Sequence, residues 1–313
     1  MNKKYIKKFI SLCKQTQKEL KIYLTAYLKA SGYDVITEDG FVYAKGELPY
    51  LVTAHMDTVH KVTCKKADVK KINGCHTVSS KDGIGGDDRC GIFMILELVD
   101  RGYRPSILFC EDEEIGGVGS QKFCKTKYID DLKELNYLIE LDRANAYDAV
   151  FYDCGNMEFK TFILDNTGYE KAIGSFSDIS ELSPACDVAS VNLSCGYYNA
   201  HTTQEYVVIP EMLNTIDVVA KLFDIADCPK FDYQEEKYYG RYFGGTGYFG
   251  TYYRDYISDP VLEGIEFVYI NDDGEEMYEC IWGSEYYECL GQFLEMHPTI
   301  CYNDITDFEE IYW

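Results

Sequence analysis

Short apolar runs that end in a histidine or in acids constrain this chain more than any other feature. Residues 48–54 lead into His55-Met56-Asp57, residues 106–110 into Glu111-Asp112-Glu113-Glu114, and residues 137–141 into Asp142-Arg143. A brief, continuous apolar run suits a strand buried on both faces. Residues 90–99 and 212–225 have helical spacing, and 188–194 reads as a further strand. Strands alternating with helices predict an α/β fold, a mixed central β-sheet flanked by helices. In such sheets chemistry collects at strand ends and in the loops that follow them.

The first segment is also periodic. Ile6, Phe9, Ile10, Cys13, Leu20, Tyr23, Leu24, Tyr27 and Leu28 recur at threes and fours, which predicts one amphipathic helix over 5–31. Lys3, Lys4, Lys7, Lys8, Lys14, Lys18 and Lys21 populate its other, solvated face. Gly32 ends it, and residues 33–36 and 41–44 flank Glu38-Asp39-Gly40 as a hairpin. The basic start resembles a signal-peptide n-region, but the apolar stretch behind it is too short and no cleavage site follows. No run approaches the about 18 apolar residues that span a bilayer. Thirteen cysteines form no Cys-x-x-Cys pair, so reduced thiols, a cytoplasmic location and no membrane partner are expected. Cys64 with Cys75-His76 fits no zinc-finger spacing and reads as loop or core thiols.

Charge excludes one class of partner. Lys plus Arg number 30 against 53 acids, a net charge of -23 that disfavours nucleic acid. The excess is uneven: residues 229–313 hold 19 acids, 4 basic residues and 14 of the 29 tyrosines. Gly245, Gly247 and Gly250 match a dinucleotide-binding pattern, but no strand precedes them and no helix follows. Residues 264–270 and 275–282 flank Asn271-Asp272-Asp273-Gly274, a hairpin signal.

Five pieces carry candidate chemistry. In His55-Met56-Asp57, residues two apart on an extended segment point the same way, so His55 can ligate a metal while Asp57 supports it directly or through a neighbour. Gly83-Ile84-Gly85-Gly86-Asp87-Asp88-Arg89 offers paired acids at a helix start, as a carboxylate bridging two cations or as a plain N-cap. The acids of residues 111–114 repel one another unless cations or solvent intervene. Glu140 and Asp142 end another apolar strand, and His201-Thr202-Thr203-Gln204-Glu205 precedes the last helix.

In that order, Leu51-Val52-Thr53-Ala54-His55-Met56-Asp57-Thr58-Val59, Gly85-Gly86-Asp87-Asp88-Arg89-Cys90-Gly91-Ile92, Glu113-Glu114-Ile115-Gly116-Gly117, Asp142 and His201-Thr202 resemble the signature of the co-catalytic di-zinc exopeptidases. These include the bacterial leucyl aminopeptidases, tripeptidases and glutamate carboxypeptidases. The resemblance spans about Glu19 to Phe223 and takes in Gly32-Tyr33-Asp34-Val35. It implies His55 and Asp142 as terminal ligands of one metal, Glu114 and His201 of the other, and Asp87 as the bridge. It further implies Glu113 as general base and Asp57 as the residue tuning the first metal. Asp88 and Glu140 are nearby rivals, read as supporting or solvated acids. Ser177-Asp178 resembles an element near the substrate pocket, and a helix N-cap explains it equally.

The cofactors so implied are two divalent metal ions, zinc first, with cobalt or manganese fitting the same ligands. Asp142 and His201 lie 59 positions apart, too close for the lid domain that the carboxypeptidases insert there. The resemblance therefore implies a lidless catalytic domain over 1–228, and it leans toward an aminopeptidase acting on small peptides. Asp at position 142 leans the same way. The alternatives are a metallo-carboxypeptidase, an N-acyl amino acid deacylase, or an inactive binding scaffold. A carboxylate substrate normally wants an arginine clamp, and Arg143 is the evident candidate. The Tyr-rich acidic extension, 229–313, is expected to be partly β and offers a surface for a protein partner or self-association.

Overall fold

The computed structural model describes residues 3–72, 74–236, 262–270, 276–282 and 305–312. The chain divides into two compact units, Met1–Gly240 and Arg241–Trp313. The first unit begins with α1 (Lys3–Cys13), α2 (Gln17–Ala30), β1 (Val35–Glu38), β2 (Phe41–Ala44) and β3 (Tyr50–His55). It continues through β4 (Asp68–Ile72), β5 (Cys75–Ser79), α3 (Gly86–Asp100), β6 (Ser106–Cys110), α4 (Val118–Cys124) and α5 (Ile129–Leu132). Next come β7 (Tyr137–Arg143), β8 (Asp148–Val150), α6 (Met157–Thr167), β9 (Glu170–Ala172), α7 (Asp178–Cys186) and β10 (Ser190–Ser194). β11 (Tyr197–Tyr198), β12 (Tyr206–Val208) and α8 (Ile209–Phe223) complete its regular elements.

An eight-stranded sheet of order β1-β2-β6-β3-β7-β10-β8-β9 forms the centre. Its middle strands β6, β3, β7 and β10 are parallel neighbours, with His55 opposite Cys110 and Thr53 opposite Glu140. Parallel pairing brings the carboxyl ends of all four strands to one edge, as a mixed sheet flanked by helices requires. The apolar runs are continuous because both faces are covered. Val52, Ala54, Ile107, Phe109, Ile139 and Leu141 point into one core, whereas Leu51, Leu108, Cys110 and Leu138 point into the other. α3 lies against β3 and β7 and is buried on every side from Gly86 to Val99. That close approach explains Gly91, where a Cβ would stand 1.8 Å from the Leu141 carbonyl oxygen.

A second sheet, β11-β12-β5-β4, is antiparallel and has no counterpart among the strands expected from sequence. Between Asp142 and His201, β8, β9 and β10 all join the central sheet. Among the described residues no helix is long and apolar enough to cross a membrane, and ten cysteines are free thiols.

The single helix expected over 5–31 is two helices. Thr16 takes the Glu19 amide on its hydroxyl, and the Glu19 carboxylate accepts the Thr16 amide at 2.9 Å, so this capping box starts a new helix. The lysine face is not uniformly solvated either. Lys8 pairs with Glu97 at 2.6 Å and Asp100 at 2.8 Å, and Lys21 with Glu111 at 2.5 Å.

In the second unit, β13 (Leu262–Ile270) pairs antiparallel with β14 (Glu276–Trp282) and with β15 (Ile305–Tyr312). The first pair is the hairpin expected from the Asn271–Gly274 signal, although those turn residues lie outside the described residues. So do the glycine match at 245–250 and the tyrosine-rich stretch around it.

Candidate metal centre

Parallel packing of β6, β3 and β7 places three of the polar strand ends side by side. His55 is the last residue of β3 and fully buried, and Asp142 lies at the end of β7. Glu113 and Glu114 follow β6 in a loop that turns at Asp112, in the left-handed region at φ 60°, and at Gly116 and Gly117. Asp87 enters from α3. Its backbone at φ −84°, ψ 102° is not helical, and the positive-φ Gly85 caps the helix without any side chain. Of the paired acids it is Asp88 that acts as an N-cap, accepting the Gly91 amide three residues on at 2.8 Å, while Asp87 does not. His201 comes from the loop between β11 and β12, itself at φ 62°.

Asp87 faces both histidines. Its Oδ1 is 2.9 Å from His55 Nε2, and its Oδ2 is 3.2 Å from His201 Nε2. His55 Nε2 also lies 3.3 Å from Asp142 Oδ1, and His201 Nε2 lies 3.2 Å from Glu114 Oε2. Two candidate ligand sets result, His55-Asp87-Asp142 and Asp87-Glu114-His201, each with its ligand atoms within 4.8 Å of one another. Among the described residues no other group of His, Cys, Asp or Glu meets that geometry, and Cys64, Cys75 and His76 stay outside both sets. Glu113 also belongs to neither, which leaves its carboxylate free of ligand duty.

The supporting contacts are as specific. Asp57 receives the Glu113 and Glu114 amides at 3.0 Å each and stands 3.1 Å from His55 Nδ1. One carboxylate thus orients the imidazole and ties down the loop beyond β6. Asp88 and Glu140 are fully buried, so the solvated reading of these two acids does not hold. Asp88 accepts the His55 amide at 3.2 Å and the Gly91 amide at 2.8 Å. Ser177, the residue before α7, donates its hydroxyl to Asp142 Oδ2 at 3.1 Å, and Asn192 accepts the Asp142 amide at 3.0 Å.

Glu205, quoted in sequence beside His201 but given no role, supports the centre. This fully buried carboxylate accepts the Gly85 amide at 2.8 Å, the Asp87 amide at 3.0 Å and lies 2.9 Å from His60 Nε2. It thereby fastens the Asp87 backbone to the loop that carries His201. Its position four residues after His201 was the available signal.

The electrostatics of this cluster call for cations. Burial pushes the Glu113 carboxyl up to about 9, helped by repulsion from Asp142, Asp178 and Asp87. Burial, with the neighbouring Asp87, likewise raises Asp142 to about 7. Burial works against a charged His55, yet Asp142, Asp57 and Asp87 together hold its pKa well above the usual imidazole range. Hydrogen bonds to Asp87 and Glu114 raise His201 to about 11. Without metal, then, the cluster neutralises itself by holding protons; divalent cations reverse that balance. Glu114 Oε1 and Asp142 Oδ1, one from each set, are buried and make no hydrogen bond. The orphaned Glu114 oxygen, an Asp142 oxygen that meets only the His55 ring 3.3 Å away, and imidazole and carboxylate donors throughout fit two divalent ions of the zinc, cobalt or manganese type.

The fold recurs in solved structures. The aminopeptidase PepT from Bacillus cereus superposes with a TM-score of 0.57 at 14% identity, over 72% of this chain and 98% of that one. A tripeptidase from Staphylococcus aureus gives 0.55 at 14% identity, over 70% and 96%. The glutaminyl cyclase of Porphyromonas gingivalis gives 0.51 at 14%, over 71% and 95%. At such identities the likeness is one of fold, and a fold that carries both peptidases and a cyclase does not by itself select a reaction. No protein-family model and no curated protein matches the chain.

Proposed function

We propose that this chain is a metal-dependent exopeptidase, an aminopeptidase acting on small peptides. The observation that carries the reading is Asp87, with one oxygen toward His55 and the other toward His201. In this reading His55 and Asp142 hold one ion, Glu114 and His201 hold the other, and Asp87 is shared. Bound there, two divalent cations supply Lewis-acid polarisation of the scissile carbonyl and lower the pKa of water toward neutrality. Glu113 accepts the proton of the attacking water and delivers it to the leaving amine. Asp57 holds the His55 tautomer, and through the Glu113 and Glu114 amides it keeps base and ligand in register.

Aminopeptidase specificity rests on charge. The acid-rich surround favours a protonated α-amine near the site. Arg143, the expected clamp for a substrate carboxylate, lies 3.3 Å from Asp148 in an ion pair. The test is turnover of aminoacyl p-nitroanilides against N-acylated amino acids, with zinc, cobalt or manganese added. Hydrolysis of the free-amine substrates is expected, and activity confined to the N-acylated ones overturns the assignment. Glu113→Gln should retain metal and lose about 100-fold or more in turnover; full activity in that variant removes the general base.

A further inference from the structure

One cavity beside the metal centre has the opposite charge from the chain as a whole. It measures about 430 Å³ and is walled by the start of α2, the segment after Asp57, and Arg89. Residues 1–81 carry fifteen lysines and seven acids in a chain of net charge -23, and two of those lysines, Lys61 and Lys65, line this cavity. The acid in its wall is Asp57, whose carboxylate is already engaged by two amides and faces His55.

Arg89 is the unusual member. It is 1% exposed, and its guanidinium donates to carbonyl oxygens, Asp57 O at 2.9 Å and Gln15 O at 3.3 Å. Its Nε has no partner. Among the described residues neither Arg89, Lys61 nor Lys65 forms an ion pair. No carboxylate touches the guanidinium, although Asp88, Asp57 and Glu205 lie near enough to act on its charge, and a buried arginine with an unpaired N–H still suits an anion. Thr16 and Gln17, at the amino end of α2, add the positive end of a 14-residue helix, although Glu19 already takes the Thr16 amide.

We propose that this cavity binds the carboxylate or phosphate group of a small anion, at a site separate from the two metal-ligand sets. The anion lies against Arg89, Lys61 and Lys65, with the hydroxyl-bearing wall completing its hydrogen bonds. Two sources share this chemistry: a free phosphate-type anion, and the terminal carboxylate of a short peptide whose amine end is at the metal centre. Anion binding itself does not depend on the exopeptidase reading; the peptide source does.

The first experiment titrates inorganic phosphate into chelator-treated, full-length protein and follows its melting temperature. Lys61→Ala/Lys65→Ala removes two exposed charges from the cavity wall, and Lys70→Ala/Lys71→Ala removes two from exposed β4 as a control. Phosphate should raise the melting temperature of the wild type and the control alike, with apparent affinity about tenfold weaker in the cavity variant. Equal responses in the wild type and the cavity variant overturn the site, as does no response in either, and both outcomes leave the exopeptidase assignment standing. The second arm compares metal-loaded turnover of short peptides with free and amidated C-termini. A preference for the free acid that disappears in the cavity variant assigns the site to the substrate carboxylate. Phosphate binding without any such preference assigns it to a free anion.

Discussion

Asp87 depends on residues far from it in sequence. Its side chain lies between two histidines, 32 positions before it and 114 after, while its amide is held by Glu205. Glu205 accepts N–H groups on both oxygens, so Glu205→Gln must turn an amide NH2 toward at least one donor. A lost buried bond to a charged acceptor costs about 1.5–3 kcal/mol. Removing a group that orients a ligand lowers metal affinity about 10–100-fold. We expect Glu205→Gln to fold with a lower denaturation midpoint and weakened zinc binding by competition titration; unchanged zinc affinity would remove Glu205 from the support of the centre. The two histidines were legible as residues because each ends or follows an apolar run. Their common partner was one of two adjacent acids on the residues alone, and only the family resemblance implied Asp87. Both acids are buried on non-helical backbone, and their contacts tell them apart: Asp87 meets the two imidazoles, Asp88 the His55 and Gly91 amides.

At the level of elements, the break between α1 and α2 matters most for how the sheet is covered. α1 crosses α3 and is tied to it by Lys8, which reaches the nearly buried Glu97 and the half-exposed Asp100. Tyr27 of α2 donates to the same Asp100 at 2.5 Å. Burial pushes the Asp100 carboxyl up, and the bonds from Lys8 and Tyr27 more than offset it, leaving its pKa below the ordinary 3.8. A carboxylate lowered by folding contributes stability above its unfolded pKa and loses it as pH falls through the folded value. Lys8→Ala should therefore cost about 1–2 kcal/mol in urea unfolding near neutral pH. That difference should shrink once the pH drops below 3.8. A difference that persists undiminished in acid would assign the loss to Lys8 packing rather than charge. Helical periodicity continued across Lys14–Thr16 and concealed the break, because a capping box is local chemistry laid over an uninterrupted apolar stripe.

For the whole molecule, the question is where the first unit ends. Composition changes at Pro229, but packing does not. Phe231 is 6% exposed, with its ring 5.1 Å from Phe162 and 5.3 Å from Phe159, and its carbonyl accepts the Ala189 amide. Lys160, 3% exposed, pairs with Glu236 at 2.7 Å. A chain ended at residue 228 loses that ring and leaves a buried ammonium unpaired, a loss of about 3–5 kcal/mol for the ring alone. We expect a chain ended at residue 240 to unfold cooperatively, and one ended at 228 to melt far lower; equal melting temperatures would support the boundary at 228 expected from sequence. The sequence by itself determined the α/β alternation, six of the eight strands of the central sheet and the residue types at their ends, because burial on two faces writes continuous apolar runs and polar ends interrupt them; the three-residue β8 and β9 are too short to write such a run. Only the tertiary structure decided which strands are parallel neighbours, brought His55 and His201 to the Asp87 that the family resemblance implied, and put Glu205 and Arg89 behind the centre. Those contacts join residues dozens to more than a hundred positions apart, and local periodicity carries no information about pairing at that distance.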